Sequence, residues 1–419
     1  MNSISGMNTQ QLEADIVEIL GAYVKPRALA KFVAQVNEAE TFEKDVLRES
    51  KRNRRSRQDH PSLVKERLDH LITFLQSIVS EQETYNALLE IGNIFKKYGD
   101  LQRAEETFTL ILGHDGRSKE RGYVAEAYMR RGEVYSLQGR WKDSAADLSR
   151  SRQIFTKMNE HAAVGRVENM VGTSYAEQGR LREAQKYFHR ALTMFEQLRE
   201  RQMTGTVLMN LGIVHNIMGE YDVALAEYNR AKPYFEAAGD FHRLAELHHN
   251  AGMSYSFKSA FEEALREFDV SIDLSTTSKN MHLLGLATLG KAHVIYRKKD
   301  FPVALKLIAQ AMELFKTSND RLSIADAYTL RGAIHRELGK LHYADLFLRT
   351  GLRVNLELGN RLNIAETYFE IGVLEVRKRR DREARKALEM ALQYFKKVGA
   401  LEEVAKVESM LHMIGGTRK

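Results

Sequence analysis

The sequence predicts an all-α solenoid of eight helix-turn-helix repeats, and three columns of small residues on one 40-residue grid predict it. Ala104, Ala184, Ala224, Ala264, Ala304, Ala344 and Ala384 recur at this interval, interrupted only by Ser144. Twelve residues before each runs a second column, Gly92, Gly132, Gly172, Gly212, Gly252, Gly332 and Gly372, with Ala292 in its one gap. Between the two stand Gly99, Gly139, Gly179, Gly219 and Gly339. Self-similarity at such a period marks hairpins that cannot bury their apolar faces alone and stack on their neighbours.

Residues 1–83 precede the array and read as three helices. Leu12, Ile16, Ile19 and Tyr23 mark the first, Leu29, Phe32, Val36 and Val46 the second, and Leu68, Leu71, Leu75 and Ile78 the third. Pro26 separates the first two, and a basic stretch, residues 48–60, separates the second from the third. Its like charges and scarce apolar side chains predict a loosely held segment. The third helix falls on the repeat grid, so the region reads as a cap or a degenerate leading repeat.

The repeats occupy residues 84–400. A glycine inside a helix costs about 1 kcal/mol relative to alanine, so seven forfeit roughly 7 kcal/mol and something must require them. Close approach of helices is that requirement, with the glycine column expected to meet the alanine column. The turn glycines end the first helix in the left-handed region at low steric cost. Ser259, Lys299 and Arg379 take that place in three repeats, where poorer capping is expected. In the second helix Ala224, Tyr228, Ala231 and Phe235 step by four, three and four, one face of an α-helix. The same face returns as Ala184, Phe188, Ala191 and Phe195. Residues 401–419 carry Leu401, Val404, Val407, Leu411 and Ile414, an amphipathic capping helix and tail of the kind a solenoid end needs.

The stretches from Asn210 through Gly212 and Gly219 to Ala224, and from Gly172 through Tyr175 and Gly179 to Ala184, resemble tetratricopeptide repeats. The unit departs from that family's usual 34 residues and lacks its closing proline. This longer variant resembles the repeats of kinesin light chains, partner-of-inscuteable-type adaptors, bacterial regulators related to the maltose activator, and Rap-type peptide receptors. The resemblance implies longer second helices, a right-handed superhelix, a concave groove lined by the first helices and a peptide-binding role. It also offers a second role for the N-terminal helices, as an effector module of Rap-like organisation.

Composition narrows the function classes. With no cysteine there is no disulfide, thiolate nucleophile or zinc-thiolate site. No signal peptide or Asn-X-Ser/Thr sequon is found, and no apolar run approaches the ~20 residues that span a bilayer. A cytoplasmic protein without a membrane span is expected. The net charge of +7 is concentrated in two places, residues 48–57 and 377–386, each about +5, leaving the remainder near −3. Such clusters can touch phosphates, yet no aromatic residues are interleaved for base stacking, so nucleic acid is an unfavoured partner.

Apparent chemical motifs dissolve on inspection. Gly285 to Ala292 matches most of a phosphate-binding loop, but Ala292 lacks the hydroxyl and the periodicity places the stretch inside a helix. Glu246 and His249 imitate half of a di-iron motif with no second half on a facing helix. No serine triad has a recognisable context. No catalytic residue, cofactor or metal is expected, and the chain reads as a non-catalytic interaction protein.

The remaining candidate is the first-helix face turned away from the second helix. Its early members are polar, and repeats four to six add apolar residues that solvent would otherwise reach. The residues expected to hold a protein or peptide partner are Asn169, Met209, Ile213, Asn216, His249, Met253, Leu286, Leu289, His293 and Tyr296. Contiguous exposed apolar surface marks a binding site, and methionine adapts to irregular partners. Two alternatives are a peptide-controlled switch and a phosphate or nucleic-acid binder acting through the N-terminal basic segment. Partner identity and oligomeric state are not legible.

Overall fold

A computed structural model describes residues 6–29, 73–75, 77–113, 121–318 and 320–416, and all regular structure among them is α-helical. Helix α1 is Gly6–Tyr23. Pairs follow in order: α2 (Glu81–Lys97) with α3 (Leu101–Gly113), α4 (Arg121–Leu137) with α5 (Trp141–Lys157), and α6 (His161–Glu177) with α7 (Leu181–Leu198). Then come α8 (Arg201–Ile217) with α9 (Tyr221–Ala238), α10 (Phe241–Phe257) with α11 (Phe261–Thr277), and α12 (Met281–Arg297) with α13 (Phe301–Thr317). The last pairs are α14 (Arg321–Glu337) with α15 (Leu341–Leu358), and α16 (Arg361–Arg377) with α17 (Asp381–Val398), before α18 (Leu401–Gly416). From α12 to α17 first helices have 17 residues and second helices 17 or 18, so length is shared rather than added to the second helix alone.

Two compact units result, one reaching Gln178 and including Arg182–Met194, the other made of Gly179–Leu181 and Phe195 onward. In the first, α1 buries Leu12 and Leu20 in one core with Leu75, Ile91, Phe95 and Phe108, so it covers the leading repeat. Asp15 adds polar ties to Lys97 at 3.3 Å and Tyr98 at 3.0 Å. The expected second N-terminal helix, the basic stretch 48–60 and most of the third helix lie outside the described residues. Ser144, the one break in the alanine column, is buried and satisfied, its hydroxyl 2.9 Å from that of Ser136, which donates to Ser174 at 2.8 Å. In the second unit, α18 packs Val407 with Leu388, Ala391 and Phe395.

The glycine column meets a partner other than the expected one. A methyl group on Gly92, Gly172, Gly212 or Gly252 would stand 2.3–2.9 Å from the ring of Phe108, Phe188, Tyr228 or Phe268, and on Gly332 or Gly372 within 2.7 Å of Leu348 or Leu388. The opposing residue is therefore the large one, a turn beyond the alanine. Each fully buried ring occupies the notch that a missing Cβ leaves, which is why the helical cost of glycine is tolerated. Where the notch holds Ala292, the partner is Ile308, and both are fully buried in one core.

A second small column, Ala125, Gly165, Gly205, Ala245, Gly285, Ala325 and Ala365, is also buried. It receives the last turn of the second helix: a methyl on Gly205 would lie 3.2 Å from Phe235, and on Gly285 2.6 Å from Phe315. Gly290 in turn faces Phe268 of the preceding repeat. The glycines of the apparent phosphate loop thus serve packing, and Lys291 pairs with Asp269 at 2.5 Å.

The turns correct a further expectation. Ser259, Lys299 and Arg379 adopt φ of 62°, 65° and 59°, the left-handed region held elsewhere by glycine. Capping is retained: Ser259 and Ala260 donate to Ser256 and Tyr255 at 2.9 Å each, matching the bonds of Gly219 and Glu220 to Asn216 and His215 at 3.1 and 2.9 Å. The repeat imposes the turn on the residue at a steric cost of about 1–2 kcal/mol. Aspartate or asparagine starts four of the first helices, α10, α12, α14 and α16, with Asp240, Asn280, Asp320 and Asn360 accepting an amide hydrogen from the residue three positions on.

Candidate functional site

Within the second unit each first helix from α8 to α16 touches the next. Helical geometry then lines up one residue per repeat into columns across neighbouring helices. One such column reads Thr206, Glu246, Leu286, Asp326, Glu366, and the column seven residues on reads Ile213, Met253, His293, Ala333, Val373. Ile213, Met253, Leu286 and Val373 are half-buried and His293 is exposed, so the face offers apolar area to a ligand.

Not every expected residue stays on this face. Met209, 2% exposed, and Leu289, 6% exposed, are core residues, Leu289 packing with Ala304, Ile308 and Leu330. Both face a neighbouring helix closely enough to be sealed by it, so they leave the candidate surface. Leu286 and Tyr296 pack on that core while keeping a partly open side. Tyr296 also lies 6.1 Å from the ring of Phe301. Met253 rests on the neighbouring core of Phe268 and Val294. Asn216 accepts a hydrogen bond from Ser254 at 2.7 Å. His249 tilts against Phe268 at 5.7 Å, and burial, with His282 nearby, pushes its imidazole down to about 4, keeping it neutral. Its Nδ1 is buried and makes no hydrogen bond. Asn169 is half-buried on α6, in the first unit.

The charges on the two units differ in how they are paired. On first helices of the first unit, Lys96 meets Glu133 at 2.5 Å and Arg166 meets Glu126 at 3.2 Å. In the second unit Glu246 meets Arg243 at 2.8 Å, Asp320 meets His282 at 3.1 Å, and Arg336 holds both Glu370 and Glu337. Asp326 and Glu366, adjacent in their column, have no cation within ion-pair distance among the described residues; Asp326 accepts only from Asn363. Burial, then the charge of Glu366, pushes the Asp326 carboxyl up to about 8. Glu366 is exposed at its surface, while desolvation by the surrounding side chains, then Glu403 and Glu370, raises its carboxyl to about 7. This acidic pair was missed as a site because sequence alone does not show which carboxylates find a cation; its signal was the shared column.

No cluster of histidines and carboxylates that could hold a metal occurs among the described residues, and none of their helices is long and apolar enough to cross a membrane. Basic residues 377–386 are partly neutralised, Lys378 meeting Asp345 and Glu375 at 2.8 Å each.

The pattern described as tetratricopeptide repeat matches residues 123–197 and 203–277. Those two stretches, about a third of the chain, carry tetratricopeptide repeats. Several solved structures are similar in fold. RapI in its apo form is 14% identical with a TM-score of 0.53, covering 79% of this chain and 97% of that one. A Rap protein complexed with competence and sporulation factor is 12% identical with a TM-score of 0.54, covering 80% and 98%. NprR in complex with its cognate peptide NprX is 15% identical with a TM-score of 0.54, covering 85% and 99%. At such identities the likeness is one of fold. No curated protein matches by sequence.

Proposed function

We propose that this chain is an interaction scaffold that binds an extended or helical peptide segment of a partner along the first-helix face of its second unit. The observation that carries this reading is the row of partly open apolar side chains, Ile213, Met253, Leu286 and Tyr296, beside exposed His293 on consecutive first helices. Apolar area on a face that water reaches is retained where a partner covers it, and Asn216 and His249 add polar groups that fix direction. The complex of NprR with its cognate peptide supports a peptide as the kind of ligand this fold accommodates.

The test is selection of displayed random peptides on the purified protein, followed by Met253→Glu. Met253 rests on the core without belonging to it, so the variant should fold. A carboxylate there must be desolvated by any apolar ligand, so selected peptides should lose at least tenfold in affinity. Retention of affinity by a folded variant with an unchanged circular dichroism spectrum moves the site off this face.

A further inference from the structure

Independently of the first-helix face, we infer that the edge formed by the helix-helix turns of repeats six to eight docks on an anionic lipid bilayer. The turn from α16 into α17 and the first turns of α17 carry Arg377, Lys378, Arg379, Arg380, Arg382, Arg385 and Lys386 against Asp381 and Glu383, a net +5 over residues 377–386. Lys378 is held by Asp345 and Glu375, and Arg380 stands 3.7 Å from Glu375. Arg377, Arg379, Arg382, Arg385 and Lys386 are exposed. Folding does not favour this placement. Like charges crowd one turn, and α17 starts there without a side-chain cap, where the positive end of the helix dipole repels cations. A local arrangement that opposes its own fold is expected where function requires it, and here the requirement is an anionic surface. The pairing of Lys378 with Asp345 sets this turn beside the preceding repeat, and the turns before it add exposed Lys340 and Lys299.

Apolar side chains on the same edge decide the kind of anion. Leu338 and Val376, 40% and 37% exposed, stand at the C-terminal ends of α14 and α16, among these cations. A polynucleotide would neutralise its phosphates on the cations and leave both apolar side chains in water. An acidic peptide needs a groove or a sheet edge, which a row of turns does not supply. A bilayer takes both features: its anionic headgroups attract lysine and arginine, and the boundary between headgroups and acyl chains accepts leucine and valine beside them.

Flotation of the whole chain with vesicles of phosphatidylcholine, with and without phosphatidylserine, tests this. The wild type should float only with the serine-containing vesicles, and added salt should release it. A cation beside an anionic leaflet is worth about fivefold in binding, so Arg377→Gln/Arg382→Gln/Arg385→Gln/Lys386→Gln should lose well over tenfold. Leu338→Gln/Val376→Gln keeps every charge and should lose severalfold. All six side chains are exposed, so both variants should keep the wild-type circular dichroism spectrum. They share no position, so misfolding of one leaves the other decisive. A wild type that stays off the serine-containing vesicles overturns the inference. So does equal flotation of the wild type and the quadruple variant, which would place the contact elsewhere, the basic residues 48–57 included. Flotation unchanged in Leu338→Gln/Val376→Gln, or displacement of the vesicles by a DNA duplex or polyglutamate at equal anion concentration, would make the edge a general polyanion surface and overturn it as well.

Discussion

Gly212→Ala is the sharpest probe of how a repeat closes. Its new methyl group would stand 2.3 Å from Cε1 and 2.7 Å from Cδ1 of Tyr228, whereas ordinary contact begins near 3.4 Å, so the ring must withdraw by about 1 Å. Tyr228 is 1% exposed, with Ala224 and Ala231 fully buried on the same face, so it has little room to move. Overpacking of this kind costs about 1–3 kcal/mol, and the ring's tight enclosure argues for the upper end. Alanine returns about 1 kcal/mol of helix propensity, leaving a net loss of about 2 kcal/mol. Repeat six indicates the remedy, because there Ala292 is matched with Ile308. Tyr228→Ile alone empties space and should cost about 2 kcal/mol or more, yet combined with Gly212→Ala it recreates that natural pair. The double variant should be at least 1.5 kcal/mol more stable than the sum of its parts. Urea unfolding supplies the energies, and amide exchange across residues 201–238 shows whether the loss is local. Additive effects would mean that Gly212 is small for a reason unrelated to Tyr228.

Two further expectations concern charge and backbone, beside the Met253→Glu test above. Asp326 has its carboxyl raised to about 8, against an unfolded value near 4. The folded chain therefore holds a proton that the unfolded chain releases, and stability from this group falls as pH rises from about 4 to about 8. Asp326→Asn should melt with the wild type near pH 4 and clearly exceed it at pH 8; parallel melting curves at both pH values would contradict the burial of this acid beside Glu366, Asp320 and Asn363. Lys299→Gly should raise stability by about 1 kcal/mol because lysine sits at φ 65°, and an unchanged or lower urea midpoint would show that the lysine compensates for its strain through contacts of its side chain.

The periodicity was legible because every repeat meets the same packing problem and solves it with the same residue sizes. What sizes alone could not reveal was which column opposes which. Gly212 and Ala224 are both small, and the inference that they touch was reasonable, yet the glycine is small so that Tyr228 can be large. The column of Gly165, Gly205 and Gly285 lay on the same grid and was readable in principle. Ser259, Lys299 and Arg379 misled for another reason: turn propensity is a weak preference, and tertiary packing overrides it. At the candidate site, helical geometry put Ile213, Met253 and Leu286 on a face that stays partly open, but it also put Met209 and Leu289 there, which neighbouring helices seal. The contrast between Glu246, which is paired, and Glu366, which is not, depends on rotamers and neighbours that no spacing rule encodes.

Phe268 is gripped from two sides, by the notch of Gly252 in its own repeat and by Gly290 in the next, where added methyl groups would lie 2.9 and 2.5 Å from its ring. At the place of Gly290 the other repeats of this unit carry Asn210, Asn250, Leu330 and Glu370, so this double grip is peculiar to one joint. The ring is thus seated in notches on both α10 and α12, so repeats five and six share one buried side chain and should part less readily than their neighbours. Compliance then falls to the joints on either side. A ligand running along the proposed face from Ile213 to Val373 would cross this joint, and the adaptation it demands is expected at the joints on either side.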